Sequence, residues 1–375
     1  MAKKKGLWAL AEKRGMIDLP FLILTLLLVF IGLAMLLSAS YARAYSETGQ
    51  AGYYFVRQAG FAAFGIFAML AVTIVPVDWI RKLSMPLLAV SIVLLVLVLL
   101  IGTDEGGAKR WIYLGVSFQP SEITKLAVVL TFAALISGYG EKMKTFYYGV
   151  LPFSVILLVI FALLVLEPHL SCIIIVGATG AAMMFMGGTR LRWFAILGIC
   201  AVLFLLLYLH FKGYASDRIT AWRNPEADPS DSGYQILQSL YAIGSGGLWG
   251  LGLGKSRQKS LYLPEEHNDY IFAIVCEELG FVGAGLIILL FMLLIVRGIW
   301  LALHAKTRFC SLVMAGIVVQ LALQVFFNIG VVSNFLPATG ISLPFFSYGG
   351  TALMLQLFEM GLVLNMSRDC SNNLL

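Results

Sequence analysis

The chain has 375 residues, of which 60% are hydrophobic and 12% charged, and its mean hydropathy is +0.91. A soluble domain carries roughly 45–50% apolar and ~25% charged residues, so this composition excludes a soluble enzyme, a disordered chain and a disulfide scaffold. The formal charge of +6 follows from membrane topology, as the placement of Lys and Arg shows, and not from a nucleic-acid partner.

Lys3, Lys4, Lys5, Lys13 and Arg14 precede the first apolar run, at about 19–38. That run exceeds the ~7–15 residues of a signal-peptide core, so it reads as a retained span. Further runs near the ~20 residues needed to cross a bilayer follow at about 56–75, 80–101, 148–166, 170–187, 193–211, 279–296, 309–331 and 349–366. One more, at about 119–138, is weakened by Glu122 and Lys125 but is required to join loops on opposite sides. The run at 279–296 is expected to begin earlier, near Asp269. The pattern predicts an all-α polytopic integral membrane protein: one membrane domain over 1–375 with about ten transmembrane helices. With the N-terminus inside, the short inner segments are richer in Lys and Arg than the short outer ones. Segments 1–18 and 367–375 are then cytoplasmic, and the long loop 212–268, between the seventh and eighth helices, is extracytoplasmic. A loop of that length is usually functional. It holds a turn-rich stretch at 224–231 and an amphipathic helix over Gly233–Ile243.

Ionisable residues within spans are costly and are usually functional or paired. Glu122 and Lys125 stand three apart and share a helix face, as an ion pair or as the organisers of a polar cavity. Gln320, Gln324 and Asn328 form a polar stripe on the ninth span, and Gln356 and Glu359 pair on the tenth; interhelical hydrogen bonding explains most such stripes. Glu277 and Glu278 follow Asp269, and at most one is expected on its helix face. Asp269 itself falls where the long loop meets a helix, where a cap and a catalytic carboxylate are both open readings. Gly250–Ser256 imitates a phosphate loop, but Trp249 stands where the first glycine is required. His169, His210, His267 and His304 lack metal-ligand spacing and read as ordinary loop and interface residues. The five cysteines form no CxxC, so neither a disulfide framework nor a structural zinc site is expected.

Several segments in order resemble the SEDS proteins, the group of FtsW, RodA and SpoVE. They are Gly107–Ile112, Gln119–Lys125, Gly233–Gly247, Leu263–Phe272, Ala273–Gly280 and Pro344–Gly350, spread from the first span to the tenth. Ser256–Lys259 and His267–Asp269 are closer in wording to FtsW and SpoVE than to RodA. The resemblance implies a bacterial cell-membrane peptidoglycan glycosyltransferase acting on lipid II, in division, elongation or sporulation. It also implies a class B penicillin-binding protein as partner, a divalent cation such as Mg or Mn, and an essential aspartate at Asp269. Many members read Glu-Pro-Asp after the fifth span; here the segment is Glu167-Pro168-His169, so only Glu167 carries over.

The expected reaction joins a C4 hydroxyl to C1 with inversion. Pyrophosphate is a good leaving group, so one base suffices, unlike the paired carboxylates of glycosidases. Asp269 is the expected base; Lys109, Arg110 and Arg218 are the expected cations for the pyrophosphate. Glu122, Lys125, Glu167, His267 and Ser347 are expected to support a polar cavity. A lipid II flippase and a non-catalytic scaffold for a transpeptidase are the competing functions.

Overall fold

The computed structural model describes residues 15–105, 108–113, 115, 117–211, 220–227, 232–368 and 370. Seven long helices precede the long loop: α1 (Leu19–Thr48), α2 (Tyr53–Val72), α3 (Val77–Ile101), α4 (Pro120–Tyr139), α5 (Leu151–Leu166), α6 (Leu170–Met186) and α7 (Leu191–Phe211). The loop contributes α8 (Ser232–Gly246), and α9 (Ile271–Leu303), α10 (Arg308–Val332) and α11 (Gly350–Ser367) complete the bundle. A helix therefore occupies each apolar run read from the sequence. Among the described residues seven helices are long and apolar enough to cross a membrane. The chain is mostly helical but not purely so: β1 (Thr103–Glu105), β2 (Ala108–Tyr113) and β3 (Ser117–Phe118) form a small antiparallel sheet in the order β1-β2-β3. Its strands are too short to have left a period-two signal in the sequence.

Apolar runs become helices because only internal i→i−4 bonding satisfies the backbone in lipid. Local residues set the ends. Asp18 caps α1, its Oδ1 accepting from the Phe21 N–H at 2.9 Å, with Pro20 in the first turn, where its missing N–H costs nothing. Arg297 of α9 grips the same carboxylate at 2.5 Å. Helices α4 and α10 are the most enclosed, and they pack on each other and on α6. Enclosure on most sides explains why their buried residues are not confined to one face. Around them, α2 lies along α11, α3 along α4, and α9 along both α1 and α10.

Helix α9 breaks at Gly280, whose φ of 67° and ψ of −171° leave the helical region. The long loop repairs the break. Leu251 and Gly252 donate to the Glu277 and Glu278 carbonyls at 2.9 and 3.0 Å, and the Phe281 and Val282 N–H groups donate to Gly247 and Leu248 at 2.9 and 3.1 Å. The approach is so close that a Cβ at Gly250 would lie 2.1 Å from the Glu278 carbonyl oxygen.

Both acids just before the break are buried, and both hold the loop. Glu277 accepts from the Ser256 hydroxyl and from the Arg257 and Gln258 N–H groups at 3.0 and 3.3 Å. Glu278 takes Lys259 Nζ at 2.8 Å, the Ser38 hydroxyl at 2.7 Å and the Ser256 N–H at 3.2 Å. The glycine-rich segment that imitates a phosphate loop is thus a clamp for two carboxylates of its own chain. Removing one partner of a buried pair strands the other charge. Lys259→Met is expected to lower stability by roughly 3–5 kcal/mol, measured by thermal unfolding in detergent. The double variant Lys259→Met/Glu278→Met is expected to recover part of that loss, and additive losses would contradict the pairing.

Candidate active site

The start of α9 is held by three successive carbonyls. His267 accepts from the Tyr348 N–H at 2.8 Å. Asn268 accepts from the Ser347 hydroxyl at 2.7 Å, and that hydroxyl receives the Leu343 N–H at 2.8 Å. Asp269 accepts from Asn328 Nδ2 at 2.7 Å, and the same amide reaches Ile341 at 2.7 Å. One side chain of α10 and the 339–348 segment therefore fix the backbone around Asp269. A second fastening comes from α1, where Arg43 grips Glu266 through two bonds of 2.8 Å. Asp269 does not cap the helix: Tyr270 holds the N-cap position, without a side-chain bond. The Asp269 carboxylate instead faces Gly340, where an added Cβ would lie 3.2 Å from Oδ2 and where φ is +71°.

Asp269 opens onto a cavity of about 460 Å³, a size suited to a small-molecule site. Three cations line it, Arg57, Arg110 and Lys125, with three carboxylates, Glu122, Glu265 and Asp269. His169, Ser171, Gln324, Tyr348 and Thr351 add polar surface. Glu122 and Lys125 form the ion pair expected of them, at 2.8 Å, and both face the cavity. A carboxylate beside several cations can accept a proton from a bound hydroxyl while an anionic group is held close by.

Of the expected site residues, Asp269, Arg110, Glu122 and Lys125 meet here. Lys109 does not: it is exposed, while its neighbours Arg110 and Trp111 in β2 line the cavity. Arg218 lies outside the described residues. Glu167, His267 and Ser347 act behind the wall. The Glu167 and Pro168 carbonyls accept from the Arg110 guanidinium, the first at 3.4 Å, and so aim it. His267 is buried and stacks on Tyr54 and Tyr348, with ring centres 4.7 and 5.8 Å apart. Burial holds its pKa below the usual imidazole range. Ser347 is the brace already described. His169 reverses its sequence reading: it is a wall residue of the cavity, not an ordinary loop histidine.

Two residues went unread. Arg57 sits just inside the second apolar run, and the rule that picked out Glu122 and Lys125 applies equally to it. Asn328 was visible in the polar stripe, but its hold on Asp269 depends on a loop that hydropathy cannot place.

Residues 18–372 match the FtsW/RodA/SpoVE family model, described as a cell cycle protein. Stage V sporulation protein E of Bacillus subtilis is 41% identical over 362 residues, covering 96% of this chain and 99% of that protein. A probable peptidoglycan glycosyltransferase FtsW of Trichlorobacter lovleyi is 38% identical, covering 93% of each chain. Among solved structures, a chain of a peptidoglycan synthase complex that coordinates polymerization and crosslinking aligns with TM-score 0.79 and 28% identity, covering 94% of this chain and 98% of that one. The rod shape determining protein RodA of Thermus thermophilus aligns with TM-score 0.72 and 27% identity, covering 95% and 98%.

Burial pushes the Glu167 carboxyl up to about 8, against a smaller downward pull from Arg110. His169 moves the other way, to about 3, through burial and then the charges of Arg110 and Lys125. The carboxyl binds its proton more tightly folded than unfolded, where its pKa is ~4.3. Its stabilising effect is complete below that value and is lost as pH rises towards about 8. The imidazole contributes in the opposite sense, with stability lost as pH falls from ~6.5 towards about 3. Above the imidazole window Glu167 alone of the two acts. The melting temperature is expected to fall between about pH 6.5 and 8, and Glu167→Gln to flatten that fall. Parallel slopes in the two proteins would contradict a neutral, buried Glu167.

Proposed function

The chain belongs to the FtsW/RodA/SpoVE family, and from that premise we propose that it is a multi-pass membrane peptidoglycan glycosyltransferase that polymerises lipid II. The observation that carries the reading is the framed Asp269 carboxylate facing Arg57, Arg110 and Lys125 across one cavity. In this proposal all ten apolar runs cross the bacterial cell membrane, both termini are cytoplasmic, and loop 212–268 roofs the site on the outer face. Both substrates are lipid-anchored, so the cavity opens sideways to the outer leaflet. Similarity to a chain of a synthase complex supports a transpeptidase of the class B penicillin-binding type as partner.

Asp269 accepts the proton of the attacking C4 hydroxyl as its oxygen bonds to C1 of the lipid-linked donor. The C1–O bond to the diphosphate breaks, with inversion at carbon, and polyprenyl diphosphate departs with the bonding pair. Arg57 and Arg110 offset the charge that grows on the leaving group, and Lys125, paired to Glu122, adds to the positive wall. No general acid is required. The resemblance also implies a divalent cation. Among the described residues no three His, Cys, Asp or Glu side chains converge into a metal cluster. The likeness to sporulation protein E and to FtsW favours septal or sporulation wall synthesis over elongation.

Purified protein with its transpeptidase partner is expected to make glycan from lipid II. Asp269→Asn should reduce the rate by roughly 10²–10⁴-fold with the melting temperature kept. Asn328→Ala, which frees the Asp269 carbonyl, is expected to lower kcat by about 10–100-fold with little change in KM. Near-normal synthesis by Asp269→Asn would overturn the base assignment. Lipid II translocation without glycan growth would instead favour a flippase.

A further inference from the structure

We infer that Gln324 is a substrate-binding residue whose side-chain amide recognises the acetamido group of a substrate amino sugar through two hydrogen bonds. The inference rests on the reading of the cavity as a lipid II polymerase site. Gln324 is the middle member of the polar stripe of α10, between Gln320 and Asn328. Its two companions are engaged within the protein. Gln320 Nε2 donates to both Glu359 carboxylate oxygens at 3.0 and 3.1 Å, and Asn328 Nδ2 holds the Asp269 and Ile341 carbonyls. Gln324 makes no hydrogen bond among the described residues, and of the three it alone lines the cavity.

The residue is 3% exposed, so its neighbours hold the side chain in place. Neither amide atom is sealed off, however, and the little surface that remains opens on the cavity. Buried polar groups in native proteins are nearly all paired, so an unbonded amide at a cavity wall calls for a ligand. Bonding between packed elements accounts for most polar stripes in membrane helices. It accounts for Gln320 and Asn328 and leaves Gln324 over.

The chemistry of the amide selects the ligand. A primary amide offers one acceptor oxygen and an N–H donor side by side. A phosphate only accepts, so it would leave the Gln324 oxygen opposed; an ammonium only donates and would leave the nitrogen opposed. An acetamido group carries the same pair in one plane, C=O and N–H, and satisfies both atoms of Gln324 at once. Ile175, Ile341 and Phe61 line the same cavity and offer apolar surface to its methyl group. Lipid II carries an acetamido group on each of its two sugars. Gln324 also stands one turn from Asn328, about 6 Å along α10, and Asn328 holds the backbone of Asp269. The amide therefore meets a sugar that reacts at that carboxylate, while the diphosphate falls to the cations.

The test compares lipid II with a neutral analogue in which hydroxyls replace both acetamido groups. Each is titrated into the purified full chain without its transpeptidase partner, and binding is followed through the fluorescence of Trp111 at the cavity wall. The wild type is expected to bind lipid II about tenfold more tightly than the analogue. Gln324→Met keeps the length of the side chain and removes both polar atoms. It is expected to bind lipid II about tenfold more weakly and the analogue within about twofold of the wild type, so that the preference disappears. A loss of packing alone would weaken both ligands equally and keep the preference. Should Gln324→Met fail to fold by its melting curve, Gln324→Leu serves instead, with the same expectation. A wild type without the preference, or a folded Met or Leu variant that retains it, overturns the inference. If such a wild type still makes glycan with its partner, the polymerase reading stands without the role of Gln324. A wild type that shows the preference and loses it in the variant, but makes no glycan, sinks the polymerase reading and leaves that role standing.

Discussion

The arrangement turns on three consecutive carbonyls, at His267, Asn268 and Asp269, two taken by the adjacent Tyr348 and Ser347 and one by Asn328 of α10. A transmembrane helix satisfies its own backbone, but the residues that lead into it do not. Left alone, those carbonyls would be met by water and the segment would fray. Bound to Tyr348, Ser347 and Asn328, they lock the top of α9 to α10 and to the segment preceding α11. This lock fixes the backbone around Asp269, whose α-helix begins two residues later. Glycine at 340 then leaves room for the carboxylate.

A second splice works on the same principle about three turns further along. Gly280 interrupts α9, and residues 247–252 exchange backbone bonds across the gap. The two acids just above the gap hold the remainder of the glycine-rich loop through Ser256, Arg257, Gln258 and Lys259. Buried carboxylates this well supplied with donors act as fasteners. This part of the loop is consequently built into the helix bundle's bonding scheme.

Much of this was legible without coordinates, for a simple physical reason: lipid permits few backbone solutions, and long apolar runs signal one of them. The positions of the helices follow from hydropathy alone, and Asp269, Arg110, Glu122 and Lys125 came out of cost arguments and wording. What was not legible depended on direction or on distant pairing. Lys109 and Arg110 differ by one position, and hydropathy does not say which of them lines the cavity. Glu277 and Glu278 draw their partners from a loop that hydropathy cannot place, so their part in holding it was not legible. His169 looked ordinary because spacing tests for metal sites say nothing about a single imidazole at a cavity wall. Arg57 is different in kind, since its place within an apolar run was on view and carried the same weight as that of Lys125.

The lock on Asp269 also has a bearing on biosynthesis. Its donors lie far down the chain: Asn328 is 59 residues beyond the aspartate, and Ser347 is 79 beyond the carbonyl it holds. While the ribosome is still delivering α10 and α11, the earlier helices can already be in the bilayer, with every cation of the cavity wall present. The backbone around the carboxylate is not yet fixed at that stage. A nascent or C-terminally truncated chain would therefore lack both that lock and the part of the cavity wall that Gln324, Gly340, Tyr348 and Thr351 supply. The last helices to enter the membrane switch the finished protein on.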